Sequence, residues 1–225
     1  MKTFIVTGVS RGLGQAFYRL LLPLPVRLIL IGKVLPADPP ELTQAEVIFV
    51  KKDLADLSQP IDVASWIHKD AREIVFINNA GTIDPLVAIG SIADAEIIEA
   101  TAVNFVSPAM ISNQLAHLCK HNGIKLRILN ISSGAAARAI AGWGMYCSTK
   151  AAMKMFYECL ASENDKVTVR HIDPGVMDTA MQEKIRDCKE DVFAFGEQFM
   201  RFKRENLLRS PDAVAKDILI GEDLL

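Results

Sequence analysis

Tyr146 and Lys150 lie four residues apart in Tyr-Cys-Ser-Thr-Lys, and Ser133 lies thirteen residues upstream of the tyrosine. On a helix that spacing projects a phenol and an ammonium from the same side. A free tyrosine titrates near ~10 and exchanges protons poorly at neutrality. Bringing it to about 7 requires roughly 4 kcal/mol, and one ammonium at ~5 Å in an effective dielectric of ~20 supplies about 3 kcal/mol. The pair is adequate for acid–base chemistry once a substrate and a cofactor reach it. Taken alone, the spacing is common, and an exposed helix face is its plainer reading.

Such side chains need a scaffold. The chain has 225 residues, 50% hydrophobic and 23% charged, which permits a large core and argues against disorder. A net charge of −2 gives no reason to expect a nucleic-acid partner or an anionic membrane surface. Cys119, Cys147, Cys159 and Cys188 have neither Cys-x-x-Cys spacing nor a disulfide framework, so reduced thiols and a cytoplasmic location are expected. The opening Lys-Thr-Phe-Ile-Val-Thr-Gly enters a strand at once, without a signal-peptide pattern. The apolar stretch 17–31 contains Arg19, Pro23, Pro25 and Arg27 and falls short of the ~20 clean residues of a membrane span. His117 and His121 stand at i and i+4, but no third ligand has suitable spacing, so no metal is expected.

Short β-branched runs recur at 4–7, 26–31, 47–50, 74–77, 128–131 and 167–172, mostly separated by helix-length segments. That alternation predicts an α/β fold: a doubly wound parallel sheet in the Rossmann order 3-2-1-4-5-6. One domain over 1–225 is expected, with a helical lid at about 177–209 and a seventh strand short or absent. Pro36, Pro39 and Pro40 oppose a helix in the second crossover. Ser210-Pro211 predicts the start of a final helix.

Gly8-Val-Ser-Arg-Gly12-Leu-Gly14 follows the first strand and opens a helix. Glycines there allow a tight turn and let the backbone approach a pyrophosphate at the helix N-terminus. The spacing is Gly-x-x-x-Gly-x-Gly. Together with Asn78-Asn79-Ala80-Gly81, Ser133, Tyr146/Lys150 and Pro174-Gly175, it resembles the short-chain dehydrogenase/reductase family over residues 7–179. The resemblance implies a nicotinamide cofactor and hydride transfer. The second strand ends Ile31-Gly32-Lys33 with no carboxylate for a ribose 2′-OH, while Arg11 and Lys33 could grip a 2′-phosphate, which favours NADP(H).

The resemblance also assigns roles. Gly8, Ser10, Arg11, Gly12, Leu13 and Gly14 form the cofactor turn, with Lys33 at the adenosine ribose. Asp53 and Leu54 match the adenine position, and Asn79, Ala80 and Gly81 line the cofactor. Pro174, Gly175, Val176 and Thr179 pass the nicotinamide. Tyr146 becomes the general acid, Lys150 holds the nicotinamide ribose, Ser133 orients the carbonyl, and Asn104 is the fourth catalytic residue. Ser132, next along the chain from Ser133, should face the other way. Pro108 cannot donate to the carbonyl of Asn104, which is then free to hold a water in a proton relay from Lys150. Met177, Met181, Phe193, Phe195, Phe199 and Met200 offer an apolar cover or ordinary helix packing, and Trp143 sits close enough to line the pocket.

Tyr-Cys-Ser-Thr-Lys-Ala-Ala and Asp-Pro-Gly-Val-Met-Asp-Thr-Ala-Met-Gln look like the sepiapterin reductase and benzil reductase branch. A small carbonyl compound, a ketone or α-diketone, is then the expected substrate. The alternatives are a β-ketoacyl carrier-protein reductase, a general alcohol dehydrogenase, or a non-catalytic NADP(H) sensor. Family members dimerise through the helices carrying Asn104 and Tyr146, so a homodimer is expected; Ala109, Met110, Ala116, Met153 and Phe156 could supply its surface or simply pack inward.

Overall fold

The structure is a computed structural model that describes residues 1–36, 43–186 and 196–225. Its centre is a parallel sheet of β1 (Lys2–Thr7), β2 (Arg27–Gly32), β3 (Glu46–Lys51), β4 (Glu73–Asn78), β5 (Lys125–Ile131) and β6 (Val167–Ile172). The spatial order is β3-β2-β1-β4-β5-β6, as the strand alternation predicts. The interior strands are buried on both faces, so they read as continuous apolar runs; Phe4, Ile5 and Val6 of β1 are fully buried. β1 pairs with β2 on one side and β4 on the other, Thr7 lying opposite Ile31 and Val6 opposite Ile77. Successive strands are added on one side of β1 up to β3 and on the other from β4, so a crevice opens at the C-terminal end of β1, where such sheets bind ligands.

Helices cover each face. α1 (Gly12–Leu21) and α7 (Pro211–Gly221) bury Phe17, Leu21, Val214 and Leu219 against one side. α7 begins where Ser210-Pro211 predicts, with Ser210 Oγ accepting from the Ala213 N–H at 3.2 Å. The other face carries α3 (Ser107–Asn122) and α4 (Gly144–Glu163), which contribute Ile111, Leu115, Met153 and Tyr157. α2 (Asp94–Thr101) runs through a π-turn, Ala102–Val106, into α3.

One connection departs from the strand–helix alternation. The β3–β4 connection carries a single 3₁₀ turn, Ala64–Trp66, in place of a helix. Its start is shaped instead by local bonds: the buried Lys52 Nζ donates to the carbonyls of Asp56 at 2.7 Å and Gln59 at 2.9 Å. The second crossover's residues 37–42, Pro39 and Pro40 included, lie outside the described residues. Among the described residues no seventh strand follows β6.

The segment after β6 leaves and returns at one point, where Met177 bridges to Arg209 and the Asp178 N–H donates to the Arg209 carbonyl at 3.1 Å. Between them lie α5 (Ala180–Arg186) and α6 (Gly196–Arg204). Phe193, Phe195 and the Phe199 side chain lie outside the described residues. Of the expected cover, Met181 packs on the cluster around Tyr146, Met177 joins the α1–α7 core, and Met200 is exposed. Met153, which could supply a dimer surface or pack inward, points into the core, and Ala109, Ala116 and Phe156 pack against the same cluster. Met110 alone of that group is exposed.

Candidate active site

The crevice is a cavity of about 820 Å³ running from the glycine turn to Tyr146. Every sequence-predicted site residue lines it except Gly14 and Asn104. Gly8 and Gly12 take left-handed φ values of 71° and 58°, which a side chain would strain. Gly14 does other work. A Cβ there would lie 2.2 Å from the Gly8 carbonyl oxygen, so this glycine lets the helix press against the turn. Asn79 and Ala80 brace the same turn: Asn79 Nδ2 donates to the Thr7 carbonyl at 2.9 Å, and both backbone N–H groups donate to Thr7 Oγ1 at 3.0 Å. Ser10 Oγ is turned onto the Val34 carbonyl at 2.7 Å.

At the adenosine end, Lys33 Nζ is 2.6 Å from Asp53 Oδ2. The carboxylate therefore shares the lysine that the charge argument gave to a 2′-phosphate, and Arg11 lines the same cavity. Desolvation pushes the Asp53 pKa up, but the Lys33 hydrogen bond and charge together with the Ala55 N–H, which donates to Oδ1 at 3.0 Å, leave it lowered. Leu54 is buried, and the Ser107 hydroxyl holds its carbonyl at 2.7 Å.

The chemical end forms where β5 and α4 meet. Tyr146 and Lys150 stand one turn apart on α4, both 7% exposed. Ser133 stands next to the phenol, near enough to favour its ionised form, and its Oγ accepts from the Ala135 N–H at 3.2 Å. Trp143 meets the Tyr146 ring edge-on at 5.6 Å. Lys150 Nζ donates to the Ile131 carbonyl at 2.8 Å and lies 5.7 Å from the centre of the tyrosine ring.

The expected lowering of the phenol pKa is not found in the chain by itself. Burial pushes Tyr146 up to about 12; Ser133 beside it acts downward and the nearby Asp173 charge upward. Burial also pushes Lys150 down to about 8. Desolvation dominates both groups, disfavouring the charged form of each. At pH 7 the result is a protonated phenol beside a largely protonated amine.

Asn104 stands behind the wall. Its Oδ1 accepts from the Thr82 N–H at 2.8 Å, and its Nδ2 donates to the Thr82 carbonyl at 2.8 Å and to Thr149 Oγ1 at 3.1 Å. It thus ties the loop after β4 to the helix turn carrying Lys150. The π-turn ends one residue before Ser107-Pro108, and the Ser107 N–H reaches back to the Ala102 carbonyl. A missing proline N–H next to a widened turn is a recognised way of breaking helical register.

Ser132, expected to face away, also reaches the cavity, but it is Ser133 that acts on the Tyr146 phenol. Thr179 Oγ1 accepts from the Gln182 N–H at 3.4 Å, capping α5. The sequence reading missed Asp173, Arg138, Gln182, and the isoleucines Ile83, Ile140 and Ile185. A periodic pattern hides such residues because they converge from separate loops. Only Gln182, one turn beyond Thr179, carried a local signal.

A dinucleotide fits these residues on two counts. α1 begins with no side chain capping it and no acidic residue in its first turn, leaving its N–H groups to an anion. A Cβ on Gly81 would come within 3.3 Å of Asn104 Oδ1 and 3.6 Å of Lys150 Nζ, so glycine keeps the wall in front of the ammonium open.

Comparison with known proteins agrees. The pattern described as short chain dehydrogenase matches residues 2–190. The chain belongs to the short-chain dehydrogenase/reductase family. It is therefore an oxidoreductase of the C=O/CH–OH type, whose family cofactor is a nicotinamide dinucleotide. The chain is 34% identical to a benzil reductase ((S)-benzoin forming) of Bacillus cereus, over 97% of this chain and 92% of that enzyme. It is 30% identical to sepiapterin reductase of Mus musculus, over 83% and 78% respectively. Among solved structures, the KRED1-Pglu enzyme superposes with a TM-score of 0.81 at 24% identity, covering 96% of this chain and 92% of that one. That last likeness speaks to the fold. No described helix is long and apolar enough to cross a membrane.

Proposed function

We propose that this reductase uses NADPH to reduce ketones and α-diketones, with Tyr146 as general acid. The observation that carries the reading is the convergence of Ser133, Tyr146 and Lys150 on the wall of one cavity that also holds the glycine turn. A bound dihydronicotinamide supplies the hydride. Ser133 donates a hydrogen bond to the substrate oxygen and stabilises the charge that develops there. Tyr146 gives that oxygen its proton, so the C=O bond becomes CH–OH. Lys150 stabilises the resulting phenolate, and Asn104 positions it through Thr149.

NADPH is favoured over NADH by Arg11 and Lys33 and by the absence of a carboxylate at the end of β2. An aromatic substrate is supported by a wall of Ile83, Ile140, Trp143 and Ile185, and by the benzil and sepiapterin reductases among the relatives. Free thiols at Cys119, Cys147 and Cys159 fit a cytoplasmic enzyme. A homodimer would use the outer faces of α3 and α4, where Met110 and Met155 are exposed.

The test is NADPH oxidation followed at the nicotinamide absorbance band with benzil, a pterin and a ketoacyl ester. Turnover of benzil that disappears in Tyr146→Phe, with NADPH still bound, is expected. Tight NADPH binding without oxidation across the panel would replace the enzyme with a nucleotide sensor.

A further inference from the structure

α5 supplies part of the apolar wall beside the phenol: Ile185 is buried with Ile83, Ile140, Trp143 and Tyr146, and Met181 packs on the same cluster. Its root is held by backbone. The Asp178 N–H donates to the Arg209 carbonyl at 3.1 Å, the Arg209 N–H to the Val176 carbonyl at 3.4 Å, and Lys203 pairs with Asp178 at 2.8 Å. On the far side, Lys184 Nζ meets Asp84 Oδ2 at 2.6 Å, the one polar contact between α5 and the loop after β4 among the described residues.

The carboxylate that receives this lysine is fixed in place. The Thr82 hydroxyl donates to the same Oδ2 at 3.2 Å and accepts from the Asp84 N–H at 3.1 Å, a local turn of the kind such side chains stabilise. Asn104 in turn holds Thr82 at both its N–H and its carbonyl, and bonds Thr149 on the helix turn that carries Lys150. An unbroken chain of polar contacts therefore runs from α5 to α4. The ion pair's side chains are 56% and 51% exposed, so it adds little to overall stability. Its consequence is where α5 sits.

We propose that Asp84 is a positioning residue: through Lys184 it clamps α5 against the chemical end, and through Thr82 it ties that wall to the Asn104 scaffold behind Tyr146 and Lys150. The inference rests on the reductase reading above. With the pair made, Ile185 and Met181 complete the substrate end of the cavity. With the pair broken, α5 keeps its root at Asp178 but loses its hold on the loop after β4, and a bound ketone escapes more readily.

The experiment takes Lys184→Met, which keeps the apolar stem without the charge, Asp84→Asn, and the double variant. Benzil kinetics with NADPH are read together with NADPH affinity by nicotinamide fluorescence and amide hydrogen exchange of residues 180–186. Each single variant is expected to raise KM about 3-fold, with kcat and NADPH affinity within about two-fold. The double variant should be no worse than either single one, because both remove the same contact. Raising salt from about 0.05 to about 0.5 M should bring wild-type KM up to that of the variants, which themselves stay level, a response that general loss of structure does not give. The 180–186 amides should exchange faster in all three variants. An unchanged KM, additive losses in the double variant, or unchanged exchange overturns the assignment and leaves the reductase reading intact. Wild-type chain that binds NADPH but reduces no ketone sinks that reading, and the role of Asp84 with it.

Discussion

Lys150→Met should change how stability depends on pH. The fold pushes the Lys150 pKa down to about 8, against the ordinary ~10.4 of an unfolded lysine. Between those values the native chain holds fewer protons at this site than the unfolded chain, so stability rises with pH across the window. At pH 7 both states carry the proton, and keeping the charge buried costs roughly 3 kcal/mol. At pH 9.5 most native lysine is neutral, and the cost falls to roughly 1 kcal/mol. Methionine fills a similar volume and does not titrate. It also gives up the 2.8 Å bond to the Ile131 carbonyl, a loss of about 1–3 kcal/mol that offsets the relief at pH 7.

The expected result is therefore near parity at pH 7 and a wild-type advantage that grows by about 2 kcal/mol towards pH 9.5. In a chain of this size that is about 4–8 °C in the Tm difference. Urea or thermal unfolding of both proteins without cofactor reads it directly. Cys119, pushed up to about 12 by burial, titrates in both proteins and cancels in the difference. Parallel pH profiles would refute the claim that an ammonium is held in the wall against its solvation.

Two further substitutions probe the cofactor half. Gly14→Ala gains ~1 kcal/mol of helix propensity, but its Cβ would sit 2.2 Å from the Gly8 oxygen and 2.6 Å from Asn79 Nδ2. The forced shift should cost more, about 2–3 kcal/mol, with NADPH affinity down at least ~10-fold; an unchanged Tm would contradict the close contact. Asp53→Asn releases Lys33 from a pair whose side chains are 64% and 39% exposed, so the effect is small. The NADPH-over-NADH preference should rise by up to ~5-fold in paired Kd titrations, and a fall would remove Lys33 from the phosphate site.

Much of this molecule was legible because its signals are local. The parallel sheet announces itself in short β-branched runs, and the glycine turn in its place between β1 and α1. Tyr146 and Lys150 needed only helical spacing. What sequence spacing leaves out is where each buried group finds its partner. Lys33 and Asp53 are twenty residues apart, yet strand pairing brings them together, with Gly32 opposite Lys51. Gln182, Ile83 and Ile140 come from three separate connections and meet only in the folded chain. Spacing leaves Met153 open between a dimer surface and the core, and the rotation of α4 turns it inward.

The phenol–ammonium pair shows the limit most sharply. Spacing alone gives the energetics of charges near a surface, with an effective dielectric of ~20 and nothing else competing for the cation. In the folded chain both groups are 7% exposed, and desolvation acts on each before they act on one another. With Tyr146 near 12, the proton stays on the phenol throughout the neutral range. That is the form required to protonate a substrate oxygen, whereas alcohol oxidation needs the phenolate. Burial alone thus loads the site for reduction. Any lowering of the phenol pKa has to come from the charges and hydrogen bonds that a bound ligand adds, since among the causes acting in the chain itself only Ser133 pulls that way.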